Sequence, residues 1–164
     1  MGDTIPALTM TEDAMLQVDE TLDIAAPPEA VFAAWDDAAG LAAFLTGVRS
    51  VHAETLERMR WRVDIAGIDP VFYAVLLERL PGERLLWTSV DAITHHGLVD
   101  LAPLPCGGTR MTVRLAWTPR PLRPDEPVGI DLDELTVRCD LQRLKRRIES
   151  AHARDAQAAA PAAA

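Results

Sequence analysis

The chain has 164 residues, of which 49% are hydrophobic and 25% are charged, and its formal net charge is −9 at pH 7. This length suits one domain with a hydrophobic core, and the acidic balance argues against a nucleic-acid-binding protein, which usually presents a concentrated basic face. The longest apolar run, Val71 to Leu77, is too short to cross a bilayer, and residues 1–8 lack the basic and apolar regions of a signal peptide. We therefore expect a cytoplasmic protein with no membrane span.

The first part of the chain predicts an arm, a strand and two short helices. Residues 1–14 show no sustained period, and we expect a flexible N-terminal arm. From Leu16 to Ile24 apolar and polar residues alternate, as in a half-buried strand, with Glu20 as the one acid on the apolar face. A Pro-Pro pair then ends the strand, and short apolar helices are predicted around Val31–Trp35 and Leu41–Leu45.

From Val48 to Trp117 the apolar pattern has a period of two and predicts six short strands in an antiparallel meander. Met59 to Ile65 is the clearest of them, since its apolar residues alternate with arginines and an aspartate. The strand from Pro70 to Arg79 is apolar on both faces, so the direction of Tyr73 stays open.

Residues 129–150 predict the one long helix of the chain. One face carries an apolar line at helical spacing, formed by Val137, Leu141, Leu144 and Ile148. A second apolar line, formed by Leu132, Leu135 and Cys139, lies on nearly the opposite side and suggests contact with a closed cavity. After the predicted helix, the Ala-rich residues 154–164 are predicted to be a disordered tail.

These elements predict an α+β fold in which a curved, antiparallel, seven-stranded sheet wraps around the long C-terminal helix. Two short helices follow the first strand. A sheet of this size curls, and a helix laid across its concave face leaves a gap that can hold a ligand.

Several segments, taken with their order, carry a family resemblance. They are IAAPPEAVFAAW (24–35), the strand with Trp61, LPGERLLW (80–87), GLVDLAPL and GGTRMTVRLAWTP (97–119), and DLQRLKRRIE (140–149). Residues 18–149 resemble the START-like, or SRPBCC, superfamily, and within it the polyketide cyclase/dehydrase branch. The resemblance implies a helix-grip fold, a START-like ligand-binding domain over residues 15–153, and a deep apolar pocket. Members include aromatase/cyclases, lipid and sterol carriers, coenzyme Q-binding proteins and plant hormone receptors, so the resemblance implies a cavity and no single reaction.

Aromatic side chains are the candidate walls of this pocket. Trp61, Trp87 and Trp117 each fall on the inward side of a meander strand, where they either fill the core or stack on a flat ligand. The complete set of candidate ligand-binding residues is Trp61, Phe72, Tyr73, Trp87, Trp117, Leu135 and Cys139.

Three titratable residues are candidates for proton transfer: His95, His96 and Glu20. The two histidines are adjacent on a strand, so their side chains point to opposite faces and cannot chelate one metal ion together. His95 and Gly97 are two residues apart and share one face of the strand, so His95 is expected to point inward. A β-bulge would instead turn His96 inward. Glu20 would gain a raised pKa if it were desolvated, unless strand twist carries it to the sheet edge. The alternative to a role in proton transfer is that the inward candidate is an ordinary histidine at the end of a strand, exposed to solvent.

Cys106 and Cys139 form no C-x-x-C motif, and we expect reduced thiols, no metal site and no cofactor.

Three functions fit the features of this sequence. The protein is a cofactor-free cyclase or dehydratase acting on a polyketide-like or aromatic molecule, a non-catalytic carrier or sensor of a hydrophobic ligand such as a lipid or quinone, or a protein-binding module that uses the outer face of Val71 to Leu77. The candidate acid–base residues slightly favour the enzyme. The sequence leaves the oligomeric state open between monomer and homodimer.

Overall fold

A computed structural model describes residues 16–64, 71–90, 95–117 and 133–159. The predicted N-terminal arm and Leu132 lie outside these ranges. The strands are β1 (Leu16–Ile24), β2 (Val48–Ala53), β3 (Arg58–Val63), β4 (Val71–Leu80), β5 (Arg84–Ser89), β6 (His95–Pro103) and β7 (Thr109–Trp117). The helices are α1 (Pro28–Asp36), α2 (Ala38–Phe44) and α3 (Glu134–Ala159).

The seven strands form one antiparallel sheet in the order β1-β7-β6-β5-β4-β3-β2. Consecutive strands from β2 to β7 are neighbours, and β1 closes the sheet by pairing with β7 along its whole length, from Leu16 opposite Trp117 to Ile24 opposite Thr109. Alternation between buried and exposed residues is complete in β7, because one face of the strand packs on the core and the other does not. The predicted architecture of sheet and helices is therefore confirmed.

Helix α3 packs on the sheet through the apolar line that the sequence predicted. Val137, Leu141, Leu144 and Ile148 are all buried. Burial of each such side chain stabilises the fold by roughly 1.5–3 kcal/mol. Asp133 caps the first turn by accepting a hydrogen bond from the Thr136 N–H at 2.7 Å, and this hydrogen bond lowers the pKa of Asp133.

The C-terminal end of α3 differs from the prediction. The helix continues to Ala159, so residues 154–159 are helical although they were assigned to a disordered tail. Alanine has the highest helix propensity, which favours continuation of a helix that has already begun. The side chains of residues 153–159 are all exposed, so these last turns extend the helix without adding to the core.

Two carboxylates on α3 tie the helix to the segments on either side of α1 and α2, one after β1 and the other before β2. Asp140 is fully buried and accepts hydrogen bonds from the backbone N–H and the hydroxyl of Thr46, both at 2.7 Å, and from Arg143. Glu149 accepts one from the Ala25 N–H at 2.8 Å. The helix is thus fixed at two points along its length. No helix in the described ranges has the length and apolar character that a membrane span requires.

Candidate functional site

A narrow space, here called the inner cavity, lies between the concave face of the sheet and the first turns of α3. Its volume is about 30 Å³. The lining is apolar and aromatic apart from a threonine and a histidine, and consists of Leu45, Thr46, Val48, Trp61, Val63, Phe72, Trp87, His95, Leu115, Trp117 and Val137. This space is much smaller than the deep pocket implied by the resemblance, because large aromatic rings occupy the region beneath the helix.

The predicted aromatic residues on the concave face are Trp61, Phe72, Trp87 and Trp117, and all four are buried and line the inner cavity. Trp61 and Phe72 are stacked, with ring centroids 5.7 Å apart and planes inclined by 15°. Such pairs add roughly 0.5–1.5 kcal/mol beyond the burial of their area. The inward direction predicted for the three tryptophans is confirmed, and the contact of all four residues with a ligand stays a prediction.

His95 points into the same cavity, as strand parity predicted. The paired register from β5 through β6 to β7 is uninterrupted at this position, with His95 opposite Trp117, so no bulge exchanges it for its neighbour. The imidazole is 8% exposed and makes edge contacts with Trp61 and Phe72, at centroid distances of 5.1 and 5.6 Å. Burial, with a smaller contribution from His96, lowers the pKa of His95 from 6.5 to about 4. The side chain is therefore neutral at pH 7.

Three buried polar atoms of cavity-lining residues have no hydrogen-bond partner among the described residues. They are Nε1 of Trp61, Nε1 of Trp87 and Nδ1 of His95. Leaving such an atom buried and unpaired costs about 1–3 kcal/mol, so most buried polar atoms in proteins are paired. Two N–H donors and an imidazole nitrogen on the walls of one apolar space form an arrangement suited to a polar group on an otherwise apolar molecule.

The structure separates His96 and Glu20 from this cavity. His96 is exposed on the outer face, with Nδ1 at 2.5 Å from the Thr88 hydroxyl. Glu20 faces the helix side of β1 but is paired with Arg138 of α3, which also donates to the Asp19 carbonyl at 3.3 Å. The prediction of a free acid on the apolar face of β1 is thus corrected: an arginine from a distant segment neutralises Glu20. Neither residue lines the inner cavity.

Tyr73, Leu135 and Cys139 were also predicted to contact the ligand, and all three lie elsewhere. Tyr73 is on the outer face of β4, with the Arg58 guanidinium 4.4 Å from its ring centroid. Leu135 is 70% exposed and Cys139 is exposed. None of the three lines the inner cavity: Tyr73 alternates with the inward Phe72, and Leu135 and Cys139 lie on the side of α3 that does not pack on the sheet. Residues Val71 and Leu77 of the proposed protein-binding face are partly exposed, and that function stays a prediction.

Thr46, which lines the inner cavity, and Asp140, which holds Thr46 in place, were not predicted from the sequence. Arg143 completes their cluster by donating to the Phe44 carbonyl at 3.2 Å and to the Thr46 hydroxyl at 3.1 Å. A signal was available for Asp140, since it lies between Val137 and Leu141 on the buried line of α3, where a carboxylate must find hydrogen-bond donors. No comparable signal marks Thr46. Across the described ranges, no three His, Cys, Asp or Glu residues cluster in a way that would hold a metal ion.

Comparison with known proteins agrees with this architecture. A DR_A0006 structure from Deinococcus radiodurans is 30% identical and superposes with a TM-score of 0.70 over 83% of this chain and 98% of the other. A START superfamily protein from Mycobacterium smegmatis is 15% identical, with a TM-score of 0.59 over 84% and 97%. The ZhuI aromatase/cyclase from Streptomyces sp. R1128 is 17% identical, with a TM-score of 0.55 over 90% and 97%. At these lower identities the last two similarities establish the fold alone.

The model of the protein family described as "Polyketide cyclase / dehydrase and lipid transport" matches residues 15–149. This range includes every strand and most of α3. This match confirms the expected family, and the START-like structures confirm the expected fold. The chain is therefore a member of the polyketide cyclase/dehydrase and lipid transport family, with the helix-grip fold of the START superfamily.

Proposed function

We propose that the protein binds a small apolar molecule that carries an oxygen acceptor, on the concave face of the sheet next to His95. The observation that carries this proposal is the set of unpartnered polar atoms on Trp61, Trp87 and His95, all lining one apolar cavity. A carbonyl or phenolic oxygen has two lone pairs and accepts from two donors at once. Membership of a family of hydrophobic ligand-binding proteins supports the same function.

The volume of the inner cavity limits what it holds. A space of about 30 Å³ corresponds to roughly one water molecule. In this conformation the inner cavity therefore takes the polar group of a ligand, while the apolar body lies outside it.

A second candidate is a cofactor-free cyclase or dehydratase acting on a polyketide-like or aromatic molecule. It is favoured by the unpartnered Nδ1 of His95, a titratable atom on a residue that lines the inner cavity. Against it, a general base works best when its pKa lies near the working pH, and a pKa of about 4 makes this imidazole a weak base at pH 7. Binding, as in a carrier or sensor, is therefore the better supported function.

Native mass spectrometry of the freshly purified protein tests the proposal by revealing a co-purifying small molecule. In parallel, acetophenone serves as an oxygen-bearing aromatic probe in titrations followed by tryptophan fluorescence and NMR. His95→Phe removes the polar atoms but keeps a ring in place, so we expect weaker acetophenone binding, whereas His96→Phe on the outer face should leave it unchanged. Absence of saturable binding, together with no co-purifying molecule, would reject the function.

The same pair of variants separates the enzyme from the carrier. General acid–base assistance is typically worth 10²- to 10⁴-fold in rate. If the identified molecule is turned over, a loss of that size in His95→Phe with only a small change in affinity would indicate catalysis. A loss confined to affinity would indicate a carrier.

A further inference from the structure

A second and larger space, here called the outer pocket, lies beside the inner cavity beneath α1 and α2. Its volume is about 160 Å³. Its walls include Ala38 and Leu41 of α2, Ala53 of β2 and Arg79 of β4. Only Trp61 and Trp87 line both spaces, so among the described residues these two indoles form the partition between them.

The sizes of the two spaces suit the two parts of one small molecule. An apolar cavity of about 150 Å³ engineered in another protein binds benzene, so a pocket of about 160 Å³ accommodates one aromatic ring. The inner cavity, at about 30 Å³, accommodates a single polar group. The indole N–H groups of Trp61 and Trp87, which have no hydrogen-bond partner, belong to the partition itself.

The charges at the outer pocket favour a neutral ligand. Arg79 is the only lysine or arginine among the described residues that line either space. Its guanidinium is paired with the Asp36 carboxylate through two hydrogen bonds, from Nε at 2.9 Å and from Nη2 at 2.6 Å. A carboxylate ligand would therefore find no unpaired cation there.

We propose that the outer pocket holds the ring of a neutral monocyclic aromatic molecule whose carbonyl or phenolic oxygen accepts a hydrogen bond from the indole N–H groups of the partition. This assignment rests on the proposed binding function and specifies the ligand class and the position of its ring. Trp61 and Trp87 are then contact residues at the centre of the site. Helix α2, through Ala38 and Leu41, supplies the roof over the ring.

Two alanines on α2 give a matched test of where the ring lies. Ala38 lines the outer pocket, whereas Ala43 is exposed and lines none of the described spaces. Ala38→Phe fills the outer pocket, so acetophenone should bind roughly tenfold more weakly or worse, while Ala43→Phe should bind as the unmodified protein does. Ala53→Phe, on β2, obstructs the same pocket. It provides a second test if Ala38→Phe does not fold.

A matched pair of probes tests the hydrogen bond. Acetophenone and ethylbenzene have nearly the same size and shape, but only acetophenone has an acceptor. Trp61→Phe removes one N–H donor, so it should weaken acetophenone binding by roughly 2- to 10-fold and change ethylbenzene binding much less. Benzoate should bind more weakly than acetophenone to the unmodified protein.

The outcomes distinguish this inference from the proposed function. Acetophenone binding that is lost in His95→Phe but unchanged in both Ala38→Phe and Ala53→Phe would overturn the placement of the ring and leave the binding function intact. Equal losses for acetophenone and ethylbenzene in Trp61→Phe, or tighter binding of benzoate, would overturn the assigned ligand class. Failure of both neutral aromatic probes to bind the unmodified protein would overturn the inference, and it would overturn the function as well only if no small molecule co-purifies.

Discussion

The indole of Trp87 lies directly over Gly97, its neighbour across β5 and β6, so closely that a Cβ at residue 97 would fall 2.0 Å from Trp87 Cζ2. The missing side chain at residue 97 is what allows the largest side chain of β5 to lie flat against the sheet. Trp87 in that position is 3% exposed and separates the inner cavity from the outer pocket. Gly97 therefore influences the shape of the site although it lines neither space.

Gly97→Ala should displace Trp87 and destabilise the protein. Overpacking of a core by a methyl group typically costs about 1–3 kcal/mol, and here the ring must move by more than an ångström. Urea unfolding measures the loss. In a Trp87→Ala background the methyl group has space, so the cost of Gly97→Ala should largely vanish. Equal costs in both backgrounds would show that Trp87 does not occupy the surface of Gly97.

The stability of the protein should depend on pH through His95. The unfolded chain protonates this histidine below pH 6.5, whereas the folded protein does so only near pH 4, so the free energy of unfolding falls as the pH decreases from 6.5 to 4. The total loss is about 3 kcal/mol. Asp19, Asp23, Asp133 and Glu149 have lowered pKa values and contribute at more acidic pH.

Urea unfolding at a series of pH values measures this dependence. His95→Phe should flatten the profile between pH 4 and 6.5, and His96→Phe should leave it as it is. An unchanged slope in His95→Phe would mean that another group is responsible.

Asp140→Ala should destabilise the protein by about 2–3 kcal/mol. The substitution removes the acceptor for the Thr46 N–H and hydroxyl and for Arg143, and hydrogen bonds to a charged group are worth roughly 1.5–3 kcal/mol each before relaxation. The Arg143 side chain is about half exposed, so water replaces its lost partner and limits the cost. Asp155→Ala, at an exposed position of the same helix, is the control and should change the unfolding free energy by less than about 0.5 kcal/mol. Similar effects from the two substitutions would argue against the cluster as an anchor.

Deletion of residues 155–164 should leave the protein nearly as stable as the full chain, with a melting temperature lower by less than about 3 °C. The reason is that residues 155–159 are helical but exposed and bury no side chain. Ile148→Ala, on the buried face of the same helix, should instead cost about 2–4 kcal/mol. A comparably large loss from the deletion would mean that the last helical turns have a partner.

The sequence by itself determined which way the side chains point in the strands whose apolar and polar residues alternate, but not in β4, which is apolar on both faces. Side chains alternate along a strand, so Trp61, Trp87, Trp117 and His95 had to share the inner face once the strands were identified. The same local periodicity, at 3.6 residues per turn, identified the buried line of α3. The meander from β2 to β7 and the long helix followed from these patterns and from the family resemblance, whereas the pairing of β1 with β7 did not.

Only the tertiary structure decided the contacts between distant segments. Arg138 pairs with Glu20 across 118 residues and Asp140 contacts Thr46 across 94, and neither partner could be chosen from local spacing. The exposure of Leu135 and the small volume of the inner cavity were decided in the same way, by what packs against a surface. Periodicity is a property of neighbouring residues, whereas the depth of a cavity depends on how side chains from seven strands and three helices fill one shared core.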